Sequence, residues 1–190
     1  MNKAEGVIVA GVGGQGALTI AQLILGAAWK SKFHVLQSEV HGMSQRGGAV
    51  NAHILFDTEP VTSPIVMEGD AEYLVSMEPL EALRYLPFMN KNGIMIVSTA
   101  PVKNMENYPD LEKVLAELKS IDGVKLIDTD KYAKELNYRN AGNMILLGAL
   151  SNHLPFTEDV WKQTIIERFS DKGEKVIKQN MIAFNFGQKL

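Results

Sequence analysis

The chain opens with a short, continuously apolar run, Val7-Ile8-Val9-Ala10. It passes into the glycine-rich turn Gly11-Val12-Gly13-Gly14-Gln15-Gly16 and then into a long apolar helical stretch. A short run of this kind, bounded by glycine, fits a strand buried on both faces. Further down the chain such runs alternate with segments of helical period, which predicts a parallel sheet covered by helices on both sides. The expected strands are 6–10, 33–37, 49–56, 72–77, 93–98 and 124–127. The expected helices are 14–30, 79–89, 110–120, 130–137, 141–153, 157–169 and 173–186. The fold expected is a three-layer α/β/α domain with a predominantly parallel, Rossmann-like sheet. With no repeat, low-complexity tract or linker in the sequence, 1–190 reads as one domain.

Two of the helices lack a solvated face. From Ala17 to Trp29 nearly every position is apolar, and Met144-Ile145-Leu146-Leu147-Gly148-Ala149-Leu150 has the same character. A helix apolar all round is buried all round, which points to a helix lying between the sheet and another subunit. A well-packed core is the other reading. In the helix after Glu78, Pro79 suits the first turn, Leu80, Leu83 and Leu86 form the expected core stripe, and Pro87 disturbs the last turn. From Thr157 onward the pattern is amphipathic cladding.

Composition narrows the chemistry. The net charge of −3 argues against a nucleic-acid binder, which usually shows a basic excess. There is no cysteine, hence no disulfide, thiolate nucleophile, cysteine-held zinc or iron–sulfur cluster in the chain itself. No H-E-x-x-H pattern, signal segment or membrane span is visible, so the chain reads as cytoplasmic and off the membrane. His34, His53 and His153 read as hydrogen-bonded structural residues, and the nine methionines as core filler.

Gly11, Gly13 and Gly16 satisfy the G-x-G-x-x-G spacing of a dinucleotide fold, with a helix N-terminus following that suits an anion. A second glycine-dense loop, Glu39-Val40-His41-Gly42-Met43-Ser44-Gln45-Arg46-Gly47-Gly48, follows the second strand. Strand C-termini in an open sheet form the ligand crevice, so both glycine segments are expected to face it. Arg46 is the natural grip for a carboxylate or phosphate, with Ser44 and Gln45 as donors and Gly47-Gly48 allowing close backbone approach. His41 is a candidate proton donor or acceptor. Alternatively, Arg46 pairs with Glu39 and His41 caps a strand end.

An independent NAD(P) or flavin site requires a carboxylate about 20 residues beyond the glycines. Glu39 falls 23 residues after Gly16. A glycine loop follows it instead of a helix, however, and no hydride-transfer base stands out downstream.

Taken together, Gly11–Gly16 and His41–Gly48 resemble the gamma-type subunits of 2-oxoacid:ferredoxin oxidoreductases, and among them the lone gamma-type beta subunit that serves indolepyruvate. Glu78-Pro79-Leu80-Glu81-Ala82-Leu83-Arg84 and Gly142-Asn143-Met144 are similar to that group as well. The resemblance implies a subunit completing a complex that decarboxylates a 2-oxoacid, such as an arylpyruvate, to an acyl-CoA. Thiamine diphosphate, magnesium and iron–sulfur clusters would then lie on cysteine-rich partner subunits, with CoA as co-substrate and ferredoxin as acceptor. This chain lacks the Gly-Asp-Gly…Asn thiamine signature, and by itself is expected to be inactive and to hold no cofactor. The carry-over covers Gly11, Gly13, Gly14, Gln15, Gly16, His41, Gly42, Gln45, Arg46, Gly47 and Gly48. Arg46 would anchor a substrate carboxylate, a CoA phosphate or a partner carboxylate. The helix starting near Gln15 would lie in an interface, a homodimer is left open for the isolated chain, and a non-catalytic scaffold is the third class.

Overall fold

A computed structural model describes residues 4–41, 47–103 and 105–190. Six strands form one sheet in the order β2-β3-β1-β4-β5-β6. They are β1 (Glu5–Val12), β2 (His34–His41), β3 (Ala49–Asp57), β4 (Ala71–Ser76), β5 (Met89–Ser98) and β6 (Val124–Ile127). Helices α1 (Ala17–Lys30), α2 (Pro79–Arg84), α3 (Leu111–Lys119), α4 (Thr129–Glu135), α5 (Gly142–Ser151), α6 (Glu158–Phe169) and α7 (Glu174–Gly187) complete it. β1 sits centrally, which is why residues 6–12 are buried without alternation.

Five of the six strands run the same way, since β1 pairs in parallel with β4, β4 with β5, and β5 with β6. β3 is the exception and pairs antiparallel with both β1 and β2. It therefore inserts between them, and β2 lies one strand further from β1 than in a Rossmann order. β2 also continues to His41, so Glu39–His41, expected in the second loop, are strand residues.

One face of the sheet carries α1, α5, α6 and α7, and the other carries α2 and α3. α5 is apolar all round because its own chain surrounds it: Met144 through Ser151 are all buried, against β4, β5, α1 and α7. A Cβ on Gly148 would run into the carbonyl of Phe184, and one on Gly187 into that of Ile145, so α5 and α7 cross backbone to backbone. The chain also buries most of α1, through Ile20, Ala21, Leu23, Ile24, Ala27 and Ala28. Leu18, Gln22, Leu25 and Trp29 stay at least partly open, one stripe at helical spacing. α1 ends at Lys32, a left-handed residue (φ 67°), where the Phe33 N–H reaches the Ala28 carbonyl and closes the last turn.

The expected stripe of α2 is present: Leu80, Leu83 and Leu86 are half-buried and pack against the core on that face. What the pattern does not reveal is that Glu78, Glu81 and Ala82 are buried with them. No helix among the described residues is long and apolar enough to cross a membrane.

Candidate functional site

Because β3 runs back between β2 and β1, both glycine motifs end up at the same end of the sheet. Val12 pairs with Ala49, and the Gly13 N–H donates to the Gly48 carbonyl at 2.8 Å. The two segments therefore touch, through Gly13 and Gly48, although neither residue lines the cavity beyond the first turn. Gly42, Ser44, Gln45 and Arg46 lie outside the described residues, as does the side chain of His41, whose backbone closes β2.

The first turn is held by Gln15. Its Oε1 accepts from the Val12 N–H at 2.8 Å, and its Nε2 donates to the Met77 carbonyl at 2.9 Å, tying the turn to the end of β4. Gly11 packs under that amide, 3.1 Å from Gln15 Oε1 by an added Cβ. Gly16 has φ +88°, and a Cβ there would stand 2.5 Å from Asn143 Nδ2. The position accepts only glycine, because the backbone is left-handed and the start of α5 is in the way.

Beyond that turn opens a cavity of about 700 Å³, within the usual range for a small-molecule site. Gly14, Gln15 and Gly16 form one wall, and Met77, Ser98 and Ala100 at the ends of β4 and β5 form the floor. The remaining wall is Thr129, Asp130, Tyr138, Arg139, Asn140, Gly142, Asn143, Phe169, Lys172, Val176, Gln179 and Asn180 together with Thr19 and Leu146. Ser98 and Thr129 are hydroxyl to hydroxyl at 2.7 Å, and buried Asn180 holds its amide on the Val176 carbonyl.

The electrostatics of the cavity come from helix ends. α1, α5 and α7 begin at Gly16, Ala141 and Gly173, and none of the three has a side-chain cap. All three open onto the cavity, through Gly16, through Gly142 and Asn143, and through Lys172 and Val176. Uncapped first turns present N–H groups and the positive end of the dipole, although in α5 the Met144 N–H is taken by the Asn143 Oδ1 at 2.8 Å. Arg139 and Lys172 add two cations without ion-pair partners among the described residues, and Asp130 is the one carboxylate on the wall. Such an arrangement binds an anion, phosphate above all.

Behind the floor lies a buried acidic pair that the leucine pattern conceals. Glu78 accepts from the Glu81 N–H at 2.8 Å, from the Val102 N–H at 3.4 Å and from the Tyr108 hydroxyl, which anchors the segment after β5 to α2. Three donors satisfy this buried carboxylate. Burial pushes Tyr108 well above the usual phenol range, and its bond to Glu78 adds to that. Glu81 is raised by burial, with Arg84 at 3.2 Å opposing and Glu78 reinforcing the shift.

Of the other residues to which the sequence points, Glu39 pairs across to Ala52 on β3 and is absent from the cavity wall, as are Gly47 and Gly48. Two strand spacings put Glu39 about 10 Å from β1, too far to serve a ribose as in a Rossmann order. Arg139, Lys172, Gln179 and Asn180 carry no signal of their own in the sequence, and on that wall only Gly142-Asn143 does.

Residues 6–190 match the family described as pyruvate ferredoxin/flavodoxin oxidoreductase. An indolepyruvate oxidoreductase subunit IorB from Thermococcus kodakarensis is 36% identical, with 98% of this chain and 96% of the relative covered. Among solved structures, the keto/oxoacid ferredoxin oxidoreductase gamma subunit from Geobacter sulfurreducens PCA superposes with a TM-score of 0.70 at 16% identity. That match covers 97% of this chain and 96% of the other. A 2-oxoglutarate:ferredoxin oxidoreductase from Magnetococcus marinus, solved with 2-oxoglutarate, coenzyme A and succinyl-CoA bound, gives a TM-score of 0.77 at 21% identity. There, all of this chain matches 31% of a longer one.

Proposed function

We propose a function from one premise: the chain belongs to the pyruvate ferredoxin/flavodoxin oxidoreductase family. It acts as a gamma-type subunit of a 2-oxoacid:ferredoxin oxidoreductase. In our reading, residues 1–190 form a single gamma-type domain in a cytoplasmic complex, and the oxoacid is an arylpyruvate of the indolepyruvate class, as the names of the relatives suggest.

The redox centres belong to the partner subunits. A chain without cysteine offers no thiolate for an iron–sulfur cluster. Among the described residues no group of three or more His, Asp or Glu is arranged to hold a metal ion. Electron transfer and thiamine chemistry are therefore assigned to a larger, cysteine-rich, thiamine-binding chain, with ferredoxin as acceptor.

This chain contributes the cavity. We assign it to the phosphate-bearing part of CoA, and the observation that carries the assignment is the convergence of three uncapped helix starts with Arg139 and Lys172. Tyr138 and Phe169 offer ring faces on the same wall.

Affinity purification from native extract tests the subunit role. The expected result is recovery of a large iron–sulfur, thiamine-binding chain and no 2-oxoacid oxidation by the present chain alone. Recovery of no such chain, or micromolar NAD(P) binding lost in Gly13→Ala, would overturn it.

A further inference from the structure

The two edges of the sheet are finished differently. β6 is four residues long, the short kind of edge that resists pairing. β2 runs for eight residues, paired to β3 on one side and to no strand among the described residues on the other. Its sequence, HVLQSEVH, has neither proline nor lysine, the residues that commonly blunt an edge. The even-numbered side chains of β2 share one face of the sheet, and two of them are exposed and apolar: Leu36 (36%) and Val40 (56%). The helices on that face cover other strands, α2 against β1, β4 and β5, and α3 against β6.

From this edge we infer that β2 pairs antiparallel with β2 of a second copy of this chain, with Ser38 on a two-fold axis. The occupant follows from register. A two-fold axis perpendicular to the sheet keeps each face on its own side, so even-numbered residues oppose even-numbered ones. With Ser38 on the axis, Leu36 of one copy lies opposite Val40 of the other, and the same pair forms again on the far side. The two exposed apolar groups cover each other, as a cross-strand pair should. On the opposite face Gln37 meets Glu39, so the Gln37 amide that donates to Glu39 within its own strand lies beside the second copy's carboxylate as well, and no two carboxylates are opposed.

Neighbouring registers lose this match. With Gln37 on the axis, Leu36 faces Ser38, Val40 faces His34, and Val35 faces Glu39. Self-complementarity in one register is what an isologous contact requires and what a strand meant for an unlike partner has no reason to carry.

The absence of cysteine makes the test direct. In Ser38→Cys the single thiol meets its own mate, so mild oxidation is expected to give a species of twice the chain mass. Ser120→Cys, at the exposed end of α3, is expected to stay single under the same conditions. Sedimentation of the unmodified chain should show a dimer in the micromolar range, weakened tenfold or more by Leu36→Lys with Val40→Lys. Both positions are exposed, so an unchanged circular dichroism spectrum is expected to show that the variant is folded. A wild-type monomer in that range would overturn the inference, as would crosslinking through Gln37→Cys in preference to Ser38→Cys. Protection of the β2 amides only in the presence of the catalytic chain would assign the edge to that partner and overturn it equally.

Discussion

The helices of this molecule begin in two ways. α2, α3, α4 and α6 start with a side chain folded back onto the first turn: Glu78, Asp110, Asp128 and Thr157. α1, α5 and α7 start without one, at Gly16, Ala141 and Gly173. The capped starts satisfy their own N–H groups and belong to the fold. The three starts without a cap all open onto one cavity, and there only the Met144 N–H of α5 has a side-chain acceptor among the described residues, the Asn143 Oδ1. α4 marks the boundary between the classes, since Thr129 and Asp130 touch the cavity while Asp128 caps the helix. Among the described residues, three helices begin at one place without an N-cap side chain, and that distinguishes the site from the scaffold.

Gly16→Ala should break the comparison most severely. The left-handed backbone and the Asn143 amide together make it cost about 3 kcal/mol, roughly 6–12 °C in Tm for a chain of this size. CoA saturation of the reconstituted complex should deteriorate as well. Adding Asn143→Ala should recover part of the stability, by relieving the contact at 2.5 Å, and none of the strain from φ +88°. Recovery of the full Tm would show that the contact alone made glycine necessary.

Next come the two cavity cations. Arg139→Ala and Lys172→Ala should each raise the KM for CoA about tenfold, the equivalent of about 1.4 kcal/mol, and leave Tm and the KM for the oxoacid alone. A matching rise in the oxoacid KM would move the anion site from CoA to substrate. The converse case is Asp110→Ala, at a capped start remote from the cavity wall. It should cost about 1 kcal/mol of stability and leave CoA kinetics unchanged.

The smallest effect separates scaffold from site by pH. Burial lowers the pKa of His53, whose Nδ1 accepts from the Val66 N–H at 3.3 Å. As pH falls below 6.5 the unfolded chain takes up a proton that the native chain refuses, so stability drops until the folded pKa is reached. The loss is at most about 1.4 kcal/mol per pH unit. His53→Leu should flatten the Tm profile over that window without altering CoA kinetics. A slope unchanged by the substitution would place the proton elsewhere.

The same division explains what can be read from sequence. β1, α1 and the alternation of elements are legible, because apolar runs, helical period and glycine turns are local properties. The reversal of β3 is not, since Ala49–Asp57 reads the same apolar pattern in either direction. The reversal moves Glu39 away from β1 and leaves β2 at the edge of the sheet among the described residues. The buried Glu78–Glu81 pair escapes a reading based on leucine spacing, because the donors that stabilise it, Val102 and Tyr108, come from a distant segment. The cavity is half legible. Its glycine wall announces itself, whereas Arg139, Lys172 and Gln179 meet it only through the packing of α5 and α7. Gly142-Asn143-Met144 stands out by resemblance alone, and the structure supplies the reason: Asn143 stands against Gly16.

The central claim is that the bare helix starts are a CoA phosphate site, and hydrogen–deuterium exchange on the assembled complex addresses it most directly. Adding CoA should protect the amides at the beginnings of α1, α5 and α7 together, while those of α3 and α6 exchange at their former rate. Exchange unchanged at all three uncapped starts, with protection confined to the partner subunits, would contradict the account.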